Sequence, residues 1–399
     1  IEFINKSLTH MVFREVIIEI LPPKITEIQL ESILRKYKRN NLIKVLCFFG
    51  VNDREIFDTK EILEKYSKDN RYENIVFLIS ENPLGEENFS KYLENIARAN
   101  IAEKHNYIED KSQYKEKAKD IINKWINKCL NSKASWYLKG KQKQIILNTF
   151  SNDINNEISK IIFSESFDVS TSCTSNKNIW ERQKARKIAE IFLFARNRKE
   201  LEDKTYSGIE RYIRNIVMNE YNNSEEWIID NDLNFKDNAY NSPIYKMFKE
   251  IERSISNNKD NTYFNLAETL NFLSQPPFGF YPCRIFYGAM GFLLKNYIRK
   301  LYDFDNGYPI DEKKMLEKID AIFDYWENEK QNNKISLKVR LGSLEEKKLI
   351  DNLKNIFDID EVESLNDIKW KIRDKIKSEF PFWVYKYNPN ISESLKKTL

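Results

Sequence analysis

Histidine, cysteine, glycine and proline are all scarce: two, four, nine and ten among 399 residues. Two histidines leave no material for a His-rich metal centre. Cys47, Cys129, Cys173 and Cys283 form no C-x-x-C pair, so neither a zinc ribbon nor a disulfide framework is indicated, and a reducing cytoplasm is the expected compartment. So few chain-breaking residues favour long helices over hairpins and barrels. Charge of one sign is lacking too: 65 Lys plus Arg stand against 61 Asp plus Glu, and a net +4 dictates no strongly acidic or basic partner. No apolar run approaches the roughly eighteen residues of a membrane span; Ile188 to Ala195 is short and flanked by charge. No membrane partner is expected. The first residue is Ile, which raises the expectation of a piece of a longer protein.

What is abundant is core material, with 41% hydrophobic and 13% aromatic residues, enough for two or three domains. From Phe13 to Ser80 short apolar runs alternate with helical spacing: VFREVIIEIL, a helix from Thr26 to Asn40, LIKVLCFFG, a helix from Asp53 to Lys68, and NIVFLIS. That order predicts a β-α-β-α-β layer with buried, parallel strands over residues 1–105. Helices are expected at Asn88 to His105, Lys111 to Leu130 and Ile145 to Phe163, with 106–168 as a helical connector. The Ser/Thr/Asn-rich interval Val169 to Asn178 reads as a boundary. Residues 169–305 then form a helical domain, with helices at Trp180 to Arg198, Ser207 to Tyr221 and Pro282 to Tyr302 and a turn at Pro276-Pro277-Phe278-Gly279. Residues 306–399, with a strand at Ile335 to Leu341 and helices at Leu344 to Phe357 and Ile368 to Phe380, read as a small α+β unit. The expected fold class is mainly α with a small N-terminal α/β domain.

Catalytic residues are not legible. The one Gly-Lys pair, Gly140-Lys141, is followed by Gln142 and lacks the upstream glycine of a phosphate loop. Glu81, after an apolar strand, is the ordinary polar end of a strand. Asp53 and Glu55, at the end of the second strand, are the pair that a Mg²⁺-dependent nuclease would use, though Asp53 has the simpler role of helix cap. His10 and His105 have no triad-like neighbours. No metal site and no cofactor are expected in this chain.

Two basic stretches could meet phosphate. One is Lys133, Lys139, Lys141 and Lys143 around Trp136 and Tyr137. The other is the helix carrying Arg182, Lys184, Arg186, Lys187, Arg196 and Arg198, where Arg182 and Arg186 lie four apart on one face. A solvated helix face explains the second equally well, since Glu181, Glu190, Glu200 and Glu202 dilute it. Arg182, Arg186, Lys187, Lys141 and Lys143 are the candidate contacts to double-stranded DNA. Past the Pro-Pro-Phe-Gly turn, Gly288, Ala289 and Gly291 would let a neighbouring helix approach closely.

Leu273 to Phe280 with its following helix, the pair Ala185 to Phe194 and Ser207 to Tyr212, the strand IVFLIS leading to Tyr92 to Ala99, and the ending Phe380 to Tyr387 together resemble the region downstream of the ATPase core in large bacterial phage-defence P-loop proteins of the BREX BrxC and PglY type. The resemblance implies a non-catalytic helical module of an anti-phage defence ATPase, coupling nucleotide-driven motion to DNA or to partner subunits. It carries over no catalytic residue. The alternative is a scaffold without a nucleic-acid role, docking a partner through the α/β domain and aromatics such as Trp383 and Tyr385.

Overall fold

The computed structural model describes residues 2–9, 12–14, 16–35, 42–169, 179–203, 208–219, 226–258, 263–305, 307–327, 337–359, 362 and 364–378. It is mainly helical with a small α/β part, and it divides into two compact units. The first takes the chain to Ser166 together with the loop Gln275–Gly279; the second gathers the elements from Ile179 onward apart from that loop. His10, Cys173, the interval 170–178 and the ending 379–399, with Trp383 and Tyr385, lie outside the described residues.

The first unit opens with α1 (Glu2–Leu8) and then follows the predicted alternation: β1 (Val16–Ile20), α2 (Glu27–Arg35), β2 (Ile43–Phe49), α3 (Asp53–Ser67) and β3 (Ile75–Ser80). These three strands are parallel and adjacent in chain order, so each crossover helix packs on the same face. Every residue of β2 and β3 is buried, which is why they read as unbroken apolar runs. On one face Leu46, Phe48, Phe77 and Ile79 meet Leu30 and Leu34 of α2 and Ile56, Leu63 and Tyr66 of α3. The opposite face is covered from elsewhere in the chain.

That cover starts with the helical hairpin of α4 (Glu86–Lys104) and α5 (Ile108–Leu130), whose last turn lays Ile126, Cys129 and Leu130 against Val45, Cys47 and Val76. The chain then returns as two strands the sequence reading missed, β4 (Lys133–Leu138) and β5 (Lys141–Ile146), added antiparallel to give the order β1-β2-β3-β4-β5. Lys139 and Gly140 join them with φ of 48° and 73°, the signature of a two-residue hairpin turn. Helical structure resumes as α6 (Phe150–Asp153), a π-helical turn at Ile154–Ile158 and α7 (Ser159–Ile162), which bury Phe150, Ile154, Ile158 and Ile162 on the sheet. The expected split into an α/β domain ending at 105 and a helical connector over 106–168 is therefore corrected: the sheet recruits 133–146, and the helix expected from Ile145 starts only after β5.

The second unit is built around α13. It comprises α8 (Ile179–Phe194), α9 (Arg198–Asp203), α10 (Ile209–Val217), a short ribbon of β6 (Met218–Asn219) and β7 (Glu226–Trp227), α11 (Pro243–Ser256), β8 (Phe264–Asn265), α12 (Leu266–Thr269), α13 (Arg284–Lys295), β9 (Leu301–Asp303), α14 (Glu312–Glu327), β10 (Lys338–Leu341), α15 (Leu344–Phe357) and α16 (Leu365–Ser378). From Ile285 to Leu294 every residue of α13 is buried. The predicted helix to Tyr302 stops at Lys295 because Leu301–Asp303 is taken up as a strand, paired to β10 in the three-stranded order β8-β10-β9. A separate unit over 306–399 is corrected on the same ground, since β10 pairs with strands from before residue 305. Buried Asp303 accepts from Lys318 at 2.8 Å and Lys314 at 3.2 Å; burial pushes its carboxyl up, and the two lysines outweigh that to hold it below its ordinary value.

Candidate functional site

In the second unit, α8 presents Ala185, Ile188, Ala189 and Phe192 to α13. The approach depends on two glycines. A Cβ on Gly291 would stand 2.6 Å from the Ala189 carbonyl oxygen, and one on Gly288 would stand 2.8 Å from Ile188 Cγ2 and 2.9 Å from Ile216 Cδ1. The close approach expected at these small residues is realised, with α8 as the neighbour.

Arg182 and Arg186 do share a face of α8, and that face meets α14. Arg182 Nη2 lies 2.6 Å from Asp324 Oδ1, donates to the Asp320 carbonyl at 3.2 Å, and donates through Nε to the Tyr287 hydroxyl at 3.1 Å. Arg186 Nη1 lies 3.0 Å from Asp320 Oδ2. Tyr287 is fully buried and stacks on Phe323 with centroids 4.4 Å apart. Burial pushes the Tyr287 hydroxyl up, and burial likewise raises the Asp320 carboxyl against the opposing pull of Arg186 and Arg182. The arrangement is a polar strut between α8, α13 and α14. Lys187, one position on, is exposed and makes no ion pair among the described residues.

The lysines of the first unit lie on a hairpin. β5 is an edge strand with Lys141, Gln142, Lys143 and Gln144 all exposed, the composition that discourages strand addition at a free edge. Lys143 bridges Asp153 at 2.5 Å and Glu157 at 2.6 Å, and the Asp153 and Glu157 carboxylates raise its ammonium above the ordinary value. Lys139 reaches Glu73 at 3.2 Å. Lys141 is exposed and has no ion pair among the described residues. Trp136 and Tyr137, the aromatics among these lysines in the sequence, are buried in the two opposite cores.

At the carboxyl ends of the parallel strands, where α/β sites gather, the polar groups are occupied structurally. Asn52 caps α3 by accepting from Glu55 N at 2.9 Å, and Glu55 Oε2 reciprocates by accepting from Val51 N at 2.9 Å. Asp53 is therefore the first helical residue, not the cap, and the carboxylate of Glu55 is committed to the backbone. Glu81 accepts from Ser135 Oγ at 2.7 Å. His105 stacks on Tyr107 in the α4–α5 loop. Among the described residues no group of three or more His, Cys, Asp and Glu side chains could hold a metal ion.

The turn residues fall in the first unit. The Pro276-Pro277 peptide bond is cis and Gly279 has φ of 67°. A Cβ at Gly279 would run into the Phe163 ring, and the Gly279 carbonyl accepts from Arg14 Nη1 at 2.7 Å, with Arg14 lying over that same ring. Arg14 is thus a buried clamp that sequence reasoning missed, since an arginine between apolar runs gives no such signal. The 275–279 loop does set a turn. No family model, curated protein or solved structure matches the chain.

Proposed function

We propose that this chain is a non-catalytic assembly module of a large bacterial anti-phage defence machine of the P-loop ATPase type, acting through partner subunits. ATP is then bound and hydrolysed by another part of that machine. The observation that carries the choice of protein over nucleic acid is the state of the basic residues: Arg182, Arg186 and Lys143 each lie within 3.0 Å of a carboxylate of the same unit. A cation neutralised in place must break that pair before it can displace the counterions of a phosphate. The defence setting rests on the resemblance carried by Leu273 to Phe280 and the helices beside it.

Double-stranded DNA is the second reading, supported by Lys141 and Lys187, which are exposed and make no ion pair among the described residues. Fluorescence anisotropy of a labelled duplex at two salt concentrations separates the two. Our reading expects no salt-dependent binding by the isolated chain and co-elution with the ATPase subunit of the same defence system. Binding that falls with salt and is lost in Lys141→Glu or Lys187→Glu would replace it with the DNA reading.

A further inference from the structure

The α4–α5 hairpin is held together by a narrow seam. Ala99, Ala102 and Ala118 are its buried members, with Tyr92, Ile96, Tyr114 and Ile121 half-buried alongside. The opposite face of α4 carries a second apolar line that no described residue of the first unit covers: Leu93 is 48% exposed, Ile101 is 58% exposed, and Ala97 lies exposed between them. The spacing i, i+4, i+8 keeps the three within about 80° on a helix of 3.6 residues per turn. Beside this line, on one flank, Glu94 and Arg98 form an ion pair at 2.5 Å with both side chains more than half exposed.

The two patterns have centres one residue apart. Leu93 and Ile101 are symmetric about position 97, and Glu94 and Arg98 about position 96. We propose that α4 pairs antiparallel with α4 of a second copy of this chain, about a two-fold axis passing close to Ala97. Leu93 then packs on Ile101 of the second copy, Ala97 on Ala97, and each Arg98 faces Glu94 across the seam. A parallel pairing would set this flank of the two helices on opposite sides of the seam, where Glu94 and Arg98 find no partners of the second copy across it. A two-fold contact is self-complementary by construction, and charge and apolar pattern both meet that condition here. One helix pair buries less than the roughly 1,200–2,000 Å² of a standard interface, so the dimer is a weak one that dissociates on dilution.

The proposal needs no defence partner, so its failure and the failure of the assembly reading are separable. Sedimentation velocity of the isolated chain over a concentration series should show a sedimentation coefficient that rises with concentration. Leu93→Glu/Ile101→Glu, at exposed positions that leave the helical circular dichroism intact, should remain monomeric throughout. Arg98→Glu should weaken the dimer at least tenfold, and Glu94→Arg/Arg98→Glu should restore it. Ala97→Cys should give a covalent dimer on mild oxidation, while the wild type and Gln113→Cys on the outer face of α5 should not. A chain that is monomeric at every concentration, or a dimer indifferent to Leu93→Glu/Ile101→Glu, overturns the proposal. A dimer that cross-links at Gln113 but not at Ala97 overturns it as well.

Discussion

The two units reach a dry interior by opposite means. In the first, large side chains from a sheet fill the space to helices on both faces, and Phe48, Phe77, Trp136, Tyr137 and Phe150 are all fully buried. In the second, the central contact of α8 with α13 is made by what is missing, because Gly288 and Gly291 bring the backbones together. A core of interdigitated large residues loses stability when atoms are removed. A contact between backbones loses it when atoms are added. The contrast predicts which substitutions each unit tolerates.

The largest effect belongs to the first unit. Phe77→Ala, in the middle of a strand with a helix over it, should cost about 3–5 kcal/mol in denaturant titration. A loss below about 1 kcal/mol would mean that the layers collapse onto the vacancy, and the contrast would lose its first term.

Lys44 sharpens the picture of that same core, since it is a cation in a strand otherwise apolar and fully buried. Burial pulls its ammonium from 10.5 down to about 8. The unfolded chain therefore holds the proton over a range in which the folded chain has released it. Stability is penalised below pH 8 and rises between about pH 8 and 10.5. At full value that rise is about 3 kcal/mol, reduced by whatever polar company Lys44 keeps. Thermal midpoints of wild type and Lys44→Met, measured from pH 7 to 10, should converge as pH increases. A constant gap would place the charged ammonium in contact with solvent.

In the second unit the same logic reverses. Gly291→Ala drives a methyl onto the Ala189 backbone, which cannot rotate away, and should cost about 2 kcal/mol. Gly288→Ala meets side-chain atoms, the Ile188 γ2-methyl at 2.8 Å, the end of Ile216 at 2.9 Å and the Phe192 ring at 3.4 Å, which can give by small shifts where a backbone cannot, and should cost less, about 1 kcal/mol. Equal losses at the two positions would show that side-chain crowding, not backbone contact, governs the helix pair.

Legibility followed the same division. The elements from β1 to β3 are plain in the sequence because fully buried parallel strands are unbroken apolar runs and the amphipathic helices between them keep their period. The β4–β5 hairpin was not, for a physical reason: an edge strand of alternating Lys and Gln carries no apolar signal, and the turn is Lys-Gly where Asn-Gly would be recognised. Trp136-Tyr137-Leu138 ahead of that Lys-Gly was the available cue. Residues 296–302 read as the end of a helix because Tyr297, Ile298 and Leu301 keep helical spacing, while long-range pairing to β10 makes Leu301–Asp303 a strand. Of the candidate site, positions on a common face were legible and partners were not. The spacing of Arg182 and Arg186 aligns them, but Asp320 and Asp324 lie far along the chain, and only the fold brings them opposite.

The smallest expected effect bears most directly on function. The Arg182–Asp324 pair has side chains 36% and 46% exposed, so water screens it and its contribution to stability is about 1 kcal/mol or less. Asp324→Asn, which removes that ion pair alone, should therefore shift the denaturation midpoint only slightly, while Arg182→Met/Arg186→Met, which also strips the buried Tyr287 hydroxyl of its Arg182 donor, should within our reading leave duplex anisotropy unchanged at every salt concentration. Had these arginines been phosphate ligands, the double substitution would lower affinity across all sequences and reduce the slope of log affinity against log salt by about two. The two measurements together are needed because the denaturation midpoint shows that the doubly substituted chain is still folded, and the salt slope then separates a strut from a phosphate contact.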